Sequence, residues 1–135
     1  MLAVSSEGLS TPTVFAMLDE LRETNPELPR AGAVDALADA LLTGDPEQVA
    51  PHLANDLQAA AVALRPGLQD ILNAGIHAGA LNGIVSGSGP TCAFLCRDAT
   101  HAEQVAARLR AEKVADAIYT TYGPVAGAHL ITNES

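Results

Sequence analysis

The stretch NGIVSGSGPTCAFLC, residues 82–96, places a glycine- and serine-rich segment between two short apolar runs. The apolar runs predict two strands, and the segment between them predicts the loop that joins them. Its glycines can adopt positive φ, and its hydroxyl groups can donate hydrogen bonds to an anion. This pattern is compatible with a tight turn between strands or with a phosphate-binding loop. The residues of this candidate loop are Ser86, Gly87, Ser88, Gly89 and Thr91.

The composition limits what such a loop can bind. The chain has 135 residues, of which 48% are hydrophobic and only 3% aromatic, so we expect one domain with small aliphatic side chains packed closely between helices and a sheet. Its net charge of −9 disfavours nucleic acids and anionic membrane surfaces. A phosphate group would therefore have to be held locally, by backbone amides and a helix N-terminus.

The order of predicted elements defines a fold class. Met1–Val4 reads as a strand, Thr11 as the N-cap of a helix with Pro12 in its first turn, Thr100 as the start of a capping box, and 117–122 as a closing strand. With the central hairpin, the order predicts an α+β fold, a ferredoxin-like β-α-β-β-α-β sandwich with extra helices in the first crossover. We expect a single domain over residues 1–135. The predicted helices span residues 11–25, 33–43, a short segment from 45, 57–64, 68–79 and 100–113.

Helical periodicity assigns a buried side to each long helix. We expect the first helix to bury Val14, Phe15, Leu18 and Leu21, and the second to bury Val34, Leu37, Ala38, Leu41 and Leu42.

Other polar residues have structural explanations. Asn55 or Asp56 is expected to cap the helix that follows, with a polar pair near a ligand as the alternative. Cys92 and Cys96 lie on the same side of a predicted strand as Phe94, so we interpret them as small core residues. The four histidines lack metal-ligand spacing, and no Ser-His-Asp or Cys-His arrangement is evident. The sequence therefore predicts no metal site and no catalytic residue.

A resemblance sharpens these predictions. Residues 84–91, Ile-Val-Ser-Gly-Ser-Gly-Pro-Thr, followed by an apolar strand, resemble the third signature motif of the GHMP kinases, which include galactokinase, homoserine kinase and mevalonate kinase. Residues 8–15 and 55–58 are similar in type, order and spacing to the branch that phosphorylates 4-diphosphocytidyl-2-C-methyl-D-erythritol in non-mevalonate isoprenoid biosynthesis. The resemblance runs from Leu2 to about Gly127. One departure is Gln58, where this branch often has Glu.

The resemblance implies an ATP-dependent kinase that transfers the γ-phosphate to the 2-hydroxyl of this substrate. It places the ATP-phosphate loop and the catalytic lysine and aspartate in an N-terminal half that is absent from this chain, whose Met1 lies within a predicted strand. ATP and Mg²⁺ would then belong to the full-length enzyme and not to this part alone, which is expected to be inactive. Within this chain, the loop 86–91 would face the substrate or phosphate, and Thr11 would lie near the transferred phosphate.

The expected partners follow from the same resemblance. They are the missing N-terminal half, a small-molecule substrate and, through a bare interdomain face, a second copy in a homodimer; nucleic acid and membrane are not expected. No signal peptide or run of 18 apolar residues is apparent, so a cytoplasmic protein is expected. Two alternatives remain: the corresponding half of homoserine or mevalonate kinase, and a stand-alone ferredoxin-like module that binds a small anion.

Overall fold

A computed structural model describes residues 1–130, and residues 131–135 of the expected domain lie outside the described part. Within residues 1–130, four strands and six α-helices follow one another in the predicted order. None of the helices in the described part is long and apolar enough to cross a membrane. The elements are β1 (Leu2–Val4), α1 (Thr11–Thr24), α2 (Asp35–Thr43), α3 (Pro46–Val49), a 3-10 turn (Ala50–His52), α4 (Gln58–Leu64), α5 (Gly67–His77), β2 (Asn82–Val85), β3 (Cys92–Leu95), α6 (Ala99–Glu112) and β4 (Ala117–Tyr119).

The four strands form one antiparallel sheet in the order β2-β3-β1-β4. β1 therefore lies in the middle, between β3 and β4, and the hairpin β2-β3 forms one side of the sheet. This is the ferredoxin-like arrangement that the element order predicts, with five helices, α1 to α5, in the first crossover in place of one. The predicted fold class is confirmed.

One side of the sheet carries the core. Val85, Cys92, Ala3 and Ile118 pair across the strands and are buried. They pack with the apolar sides of α1, α4, α5 and α6, where alanines allow close approach. The helix residues that are less than 2% exposed are Val14, Ala60, Ala61, Leu68, Val105, Ala106 and Leu109.

Phe94 is wedged into this core between two glycines. A Cβ atom at Gly75 of α5 would lie 2.0 Å from the ring, and a Cβ at Gly83 of β2 would lie 2.6 Å from it. The ring fits at this position because both neighbouring residues, Gly75 and Gly83, have no side chain. Cys92, two residues earlier, is buried on the same side of β3, as predicted.

The predicted caps of α1 and α6 are wrong. The N-cap of α1 is Ser10, whose backbone is extended and whose carbonyl accepts from the Val14 amide, and Thr11 is the first helical residue. The N-cap of α6 is Asp98, whose carboxylate accepts from the His101 amide at 2.8 Å. Aspartate two residues before Thr100 supplies the cap that was assigned to Thr100, so the helix begins one residue earlier than predicted.

Two predicted buried sides also differ. At α2, the predicted buried residues Val34, Ala38, Leu41 and Leu42 are exposed, Leu42 by 87%, because this helix packs mainly against the short α3. On α1, Phe15 is 52% exposed while Val14 and Leu18 carry the packing.

The side of the sheet opposite the core is apolar and partly exposed, since Leu2, Ile84 and Ala93 are half-buried and Tyr119 is exposed. Ile84, Ala93, Leu2 and Tyr119 pair in one row across all four strands, and none of them belongs to the buried cluster. Tyr119 is 58% exposed. We call this row the open sheet face.

Candidate functional site

The loop between β2 and β3 closes on itself through two backbone hydrogen bonds. The Ser86 amide donates to the Thr91 carbonyl at 2.8 Å, and the Gly89 amide donates to the Ser86 carbonyl at 2.9 Å. Within residues 1–130, the amides of Gly87 and Ser88 donate no hydrogen bond. These two amides, at the tip of the loop, are therefore available to an anion.

The two loop glycines are required for different reasons. Both have positive φ, +58° at Gly87 and +79° at Gly89. A Cβ at Gly87 would have no atom within 4 Å, whereas a Cβ at Gly89 would lie 3.0 Å from Cγ1 of the buried Val85. At Gly87, glycine is required within this chain only for the positive φ. At Gly89, it is required both for the positive φ and because a side chain would collide with Val85.

The N-terminus of α1 meets this loop. The hydroxyl groups of Thr11 and Ser88 are hydrogen-bonded at 2.8 Å, although 77 residues separate them in sequence. The first α1 amide that donates within the helix is that of Val14, to the Ser10 carbonyl at 3.0 Å. The helix N-terminus, which carries partial positive charge, has no acidic residue in its first turn. The structure therefore brings together Thr11 and Ser88, two candidate phosphate ligands from distant parts of the sequence.

Asn55 connects the loop to α4. Its Nδ2 donates to the carbonyls of Val85 at 2.7 Å and Gly87 at 2.8 Å, and its Oδ1 accepts from the Leu57 amide at 3.0 Å. The prediction that Asn55 or Asp56 caps α4 is wrong: the N-cap is Leu57, without a side-chain cap hydrogen bond, and Asn55 accepts from the amide of Leu57 in the turn before the helix. The two contacts of Asn55 with the loop were not predicted. Gln58 adds to the same support, since its Oε1 accepts from the Val85 amide at 2.9 Å. Together, Asn55 and Gln58 occupy the hydrogen-bonding groups of Val85 on the outer edge of β2.

Asp56 has a structural role. It accepts from the Ala31 amide at 2.5 Å and forms an ion pair with Arg22 at 3.4 Å. It thereby fastens the segment after α1 to the start of α4. Beside it, a cavity of about 290 Å³ is lined by Asn55, Gln58 and Asn82 among others, but by no residue of the loop 86–91.

Cys92, at the start of β3, and Cys96, just after its end, are free thiols. Burial raises the pKa of the Cys92 thiol from its ordinary value of 9.0 to about 11. Burial also raises the pKa of Cys96, opposed by the N-terminal amine and supported by Asp98. Both thiols are protonated near neutral pH, in agreement with their interpretation as core residues.

The loop itself carries no ionisable side chain. Residues 1–130 contain no group of three or more His, Cys, Asp or Glu residues able to hold a metal ion. The site therefore offers backbone amides, hydroxyl groups and a helix N-terminus, a set that suits an anion bound without a nearby basic side chain.

The sequence is similar to proteins of known class. Residues 37–115 match the family described as GHMP kinases C terminal. The chain is 57% identical over 135 residues to 4-diphosphocytidyl-2-C-methyl-D-erythritol kinase of Nocardia farcinica, with 100% of this chain and 44% of that protein covered. It is 53% identical over 134 residues to the enzyme of the same name from Rhodococcus jostii, with 98% and 42% covered. The chain thus spans less than half the length of these relatives.

Two solved structures have a similar fold. L. major mevalonate kinase in complex with R-mevalonate has a TM-score of 0.64 at 18% identity, covering 87% of this chain and 40% of that one. Homoserine kinase from Cytophaga hutchinsonii has a TM-score of 0.61 at 21% identity, covering 82% and 35%.

Proposed function

The chain belongs to the GHMP kinases through their C-terminal domain, and from this membership we propose that it is the C-terminal domain of an ATP-dependent small-molecule kinase. The observation that carries the proposal is the meeting of the 86–91 loop with the N-terminus of α1 through Thr11 and Ser88. Their hydroxyl groups, the free loop amides and the helix N-terminus all favour negative charge at one place. The group held there is the transferred phosphate or the phosphate-bearing end of the substrate.

We propose 4-diphosphocytidyl-2-C-methyl-D-erythritol as the substrate, phosphorylated on its 2-hydroxyl with ATP as phosphate donor. The support is that both relatives described above carry this substrate in their names. The mevalonate and homoserine kinases support only the shared fold, so those substrates are the alternatives to be tested.

The roles of the loop residues are binding and positioning. Phosphoryl transfer depends on aligning the two reactants and on stabilising charge on the transferred group. Ser88 and Thr11 contribute hydroxyl groups, Gly87 contributes its amide, and Gly89 allows the loop to turn close to β2. Ser86 and Thr91 close the base of the loop through their backbone groups. In this proposal, the side chains that activate the hydroxyl nucleophile lie outside the chain.

Mg²⁺, which the kinase family implies, does not fit the residues present. Residues 1–130 contain no group of three or more His, Cys, Asp or Glu residues able to hold it, and the loop 86–91 has no carboxylate. The roles proposed for this chain therefore require no metal ligand from it.

We also propose that the remainder of a longer polypeptide covers the open sheet face. The relatives are more than twice as long as this chain, and the row from Ile84 to Tyr119 is apolar. A bare apolar surface on a separate domain also allows association with a second copy, so a homodimer is the alternative occupant. The two free thiols suit the reducing cytoplasm, where we place the protein.

The test is an ADP-release assay on the complete reading frame that encodes this chain. 4-Diphosphocytidyl-2-C-methyl-D-erythritol, homoserine and mevalonate are offered in parallel. Turnover with the cytidyl substrate supports the proposal, and turnover with one of the others replaces the substrate. If no acceptor is phosphorylated but inorganic phosphate shifts the Gly87 and Ser88 amide resonances, the protein is an anion-binding module and the kinase proposal is wrong.

Two variants test the site itself. Thr11→Val removes the hydroxyl group that contacts Ser88 while keeping the shape of the side chain. Thr13→Val is the matched control, since Thr13 lies in the same first turn and makes no side-chain hydrogen bond within the described residues. We expect turnover to fall about tenfold or more for Thr11→Val relative to Thr13→Val, as expected for loss of a positioning contact. Equal turnover in the two variants excludes Thr11 from the site.

A further inference from the structure

We propose that Asn55 is a positioning residue for the kinase reaction: its amide sets the conformation of the 86–91 loop and thereby the direction of the Ser88 amide. This inference rests on the proposed function and assigns the loop's support to a residue outside the loop. Asn55 donates to the carbonyls of Val85 and Gly87, the residues on either side of Ser86. It thus binds both ends of the segment 85–87, where β2 ends and the loop begins.

Both the nitrogen and the oxygen of the Asn55 side-chain amide form hydrogen bonds. Each of the two loop carbonyls accepts from Nδ2, and Oδ1 accepts from the Leu57 amide at 3.0 Å. These partners fix which way the amide is turned, since two carbonyls require the NH₂ group and an amide N–H requires the oxygen. Aspartate can replace the acceptor but not the two donors. A helix cap requires only an acceptor, so capping does not account for the donors.

Holding the Gly87 carbonyl determines where the neighbouring amide points. The Gly87 carbonyl and the Ser88 amide belong to one planar peptide unit and point in nearly opposite directions. When Asn55 binds the carbonyl on the α4 side, the Ser88 amide is turned away from α4. The hydroxyl of the same residue is held by Thr11 of α1 at 2.8 Å. The loop tip is therefore fixed from both helices, by Asn55 on one side and Thr11 on the other.

Gln58 supports the same segment from one helical turn further on. Its Oε1 accepts from the Val85 amide at 2.9 Å, while the Val85 carbonyl accepts from Asn55. The outward hydrogen-bonding groups of Val85 at this edge strand are therefore paired with side chains in place of another strand. A Gln58→Glu replacement retains an acceptor, whereas Gln58→Ala loses it.

The experiment compares Asn55→Asp with Asn73→Asp in the complete reading frame. Asn73 lies on the exposed side of α5, where its Oδ1 accepts from Gln69 at 3.0 Å, so the same chemical change is made away from the loop. We expect kcat to fall about tenfold to a hundredfold in Asn55→Asp relative to the control, since small displacements of positioning groups cost up to about 10²-fold. Gln58→Glu should recover most of the turnover that Gln58→Ala loses.

A second measurement separates positioning from general stability. Amide hydrogen exchange at Ser86 and Gly89, which form the hydrogen bonds internal to the loop, should accelerate at least tenfold in Asn55→Asp. Exchange at Leu109 in the buried side of α6 should keep its rate. Equal acceleration at all three positions, or unchanged exchange in the loop, overturns the inference. If the unsubstituted protein phosphorylates none of the acceptors, the proposed function fails, and these exchange rates still decide whether Asn55 sets the loop.

Discussion

Replacing each loop glycine by alanine separates backbone conformation from packing. Gly87 and Gly89 both have positive φ, so an alanine at either position adopts a left-handed conformation that costs about 1–2 kcal/mol. At both positions, alanine also restricts the unfolded chain, which offsets about 0.4–1 kcal/mol of that cost. Because these two contributions are shared, they largely cancel when the variants are compared with each other.

The remaining difference comes from the surroundings of Gly89. Its added Cβ lies 3.0 Å from Val85 Cγ1, 3.5 Å from Leu9 Cδ1 and 3.7 Å from Leu68 Cδ1. Val85 and Leu68 are fully buried, so neither can move without disturbing the core. Overpacking of this kind costs about 1–3 kcal/mol. At Gly87, no atom lies within 4 Å of the added Cβ, so this cost is absent.

Urea unfolding of the protein and the two variants measures this difference directly. With a urea dependence of about 1–3 kcal/mol per molar, typical of small domains, the Gly89→Ala midpoint should lie about 1 M below that of Gly87→Ala. The unfolding slopes should be equal, so that the midpoints compare stabilities. Equal midpoints would refute the argument that the core beneath the loop, and not only its backbone conformation, excludes a side chain at Gly89.

Three further predictions concern the core and the sheet. Gly75→Ala should destabilise the protein by about 1–3 kcal/mol, and Phe94→Leu should relieve much of that cost in the double variant, which a double-mutant cycle of unfolding free energies measures. For Cys92, the folded pKa of about 11 lies above the ordinary 9.0, so its stabilising contribution is complete below pH 9 and lost as pH rises towards 11. The fall in unfolding free energy over that range should be smaller in Cys92→Ala. Tyr119→Lys should reduce any self-association of the 135-residue chain in sedimentation, whereas Tyr122→Lys, outside the sheet, should leave it unchanged.

The fold was largely predictable because its signals are local. Turn residues, apolar periodicity and caps such as Asp45, which accepts from the Glu47 amide, mark the ends of most elements within a few neighbouring residues. The order of those elements leaves few topologies. The exposed side of α2 was not predictable in this way, since periodicity identifies an apolar side but not what covers it. In this chain α2 packs mainly on α3, and its remaining apolar residues face outward.

The site was predictable only in its parts. The loop 86–91 was identified from its composition, and Thr11 was assigned both a cap and a place near phosphate. The predicted cap is one residue too late, since the carbonyl of Ser10 accepts the first helical hydrogen bond; the contact of the Thr11 hydroxyl with Ser88, 77 residues away, lies beyond the reach of local rules. Their meeting depends on the packing of α1 on α4 and of α4 on β2.

Asn55 shows what kind of signal was missed. Local rules predicted a helix cap, whereas the Asn55 oxygen accepts from Leu57 in the turn before α4; an asparagine also carries two N–H donors that need partners. Those partners, Val85 and Gly87, lie 30 and 32 residues further along the chain. Accounting for every donor of a predicted cap residue, and not only for its acceptor, is the step that would have directed attention from the helix to a distant backbone. An asparagine whose amide is fully paired between a helix start and a glycine loop links the position of the loop to the packing of the domain.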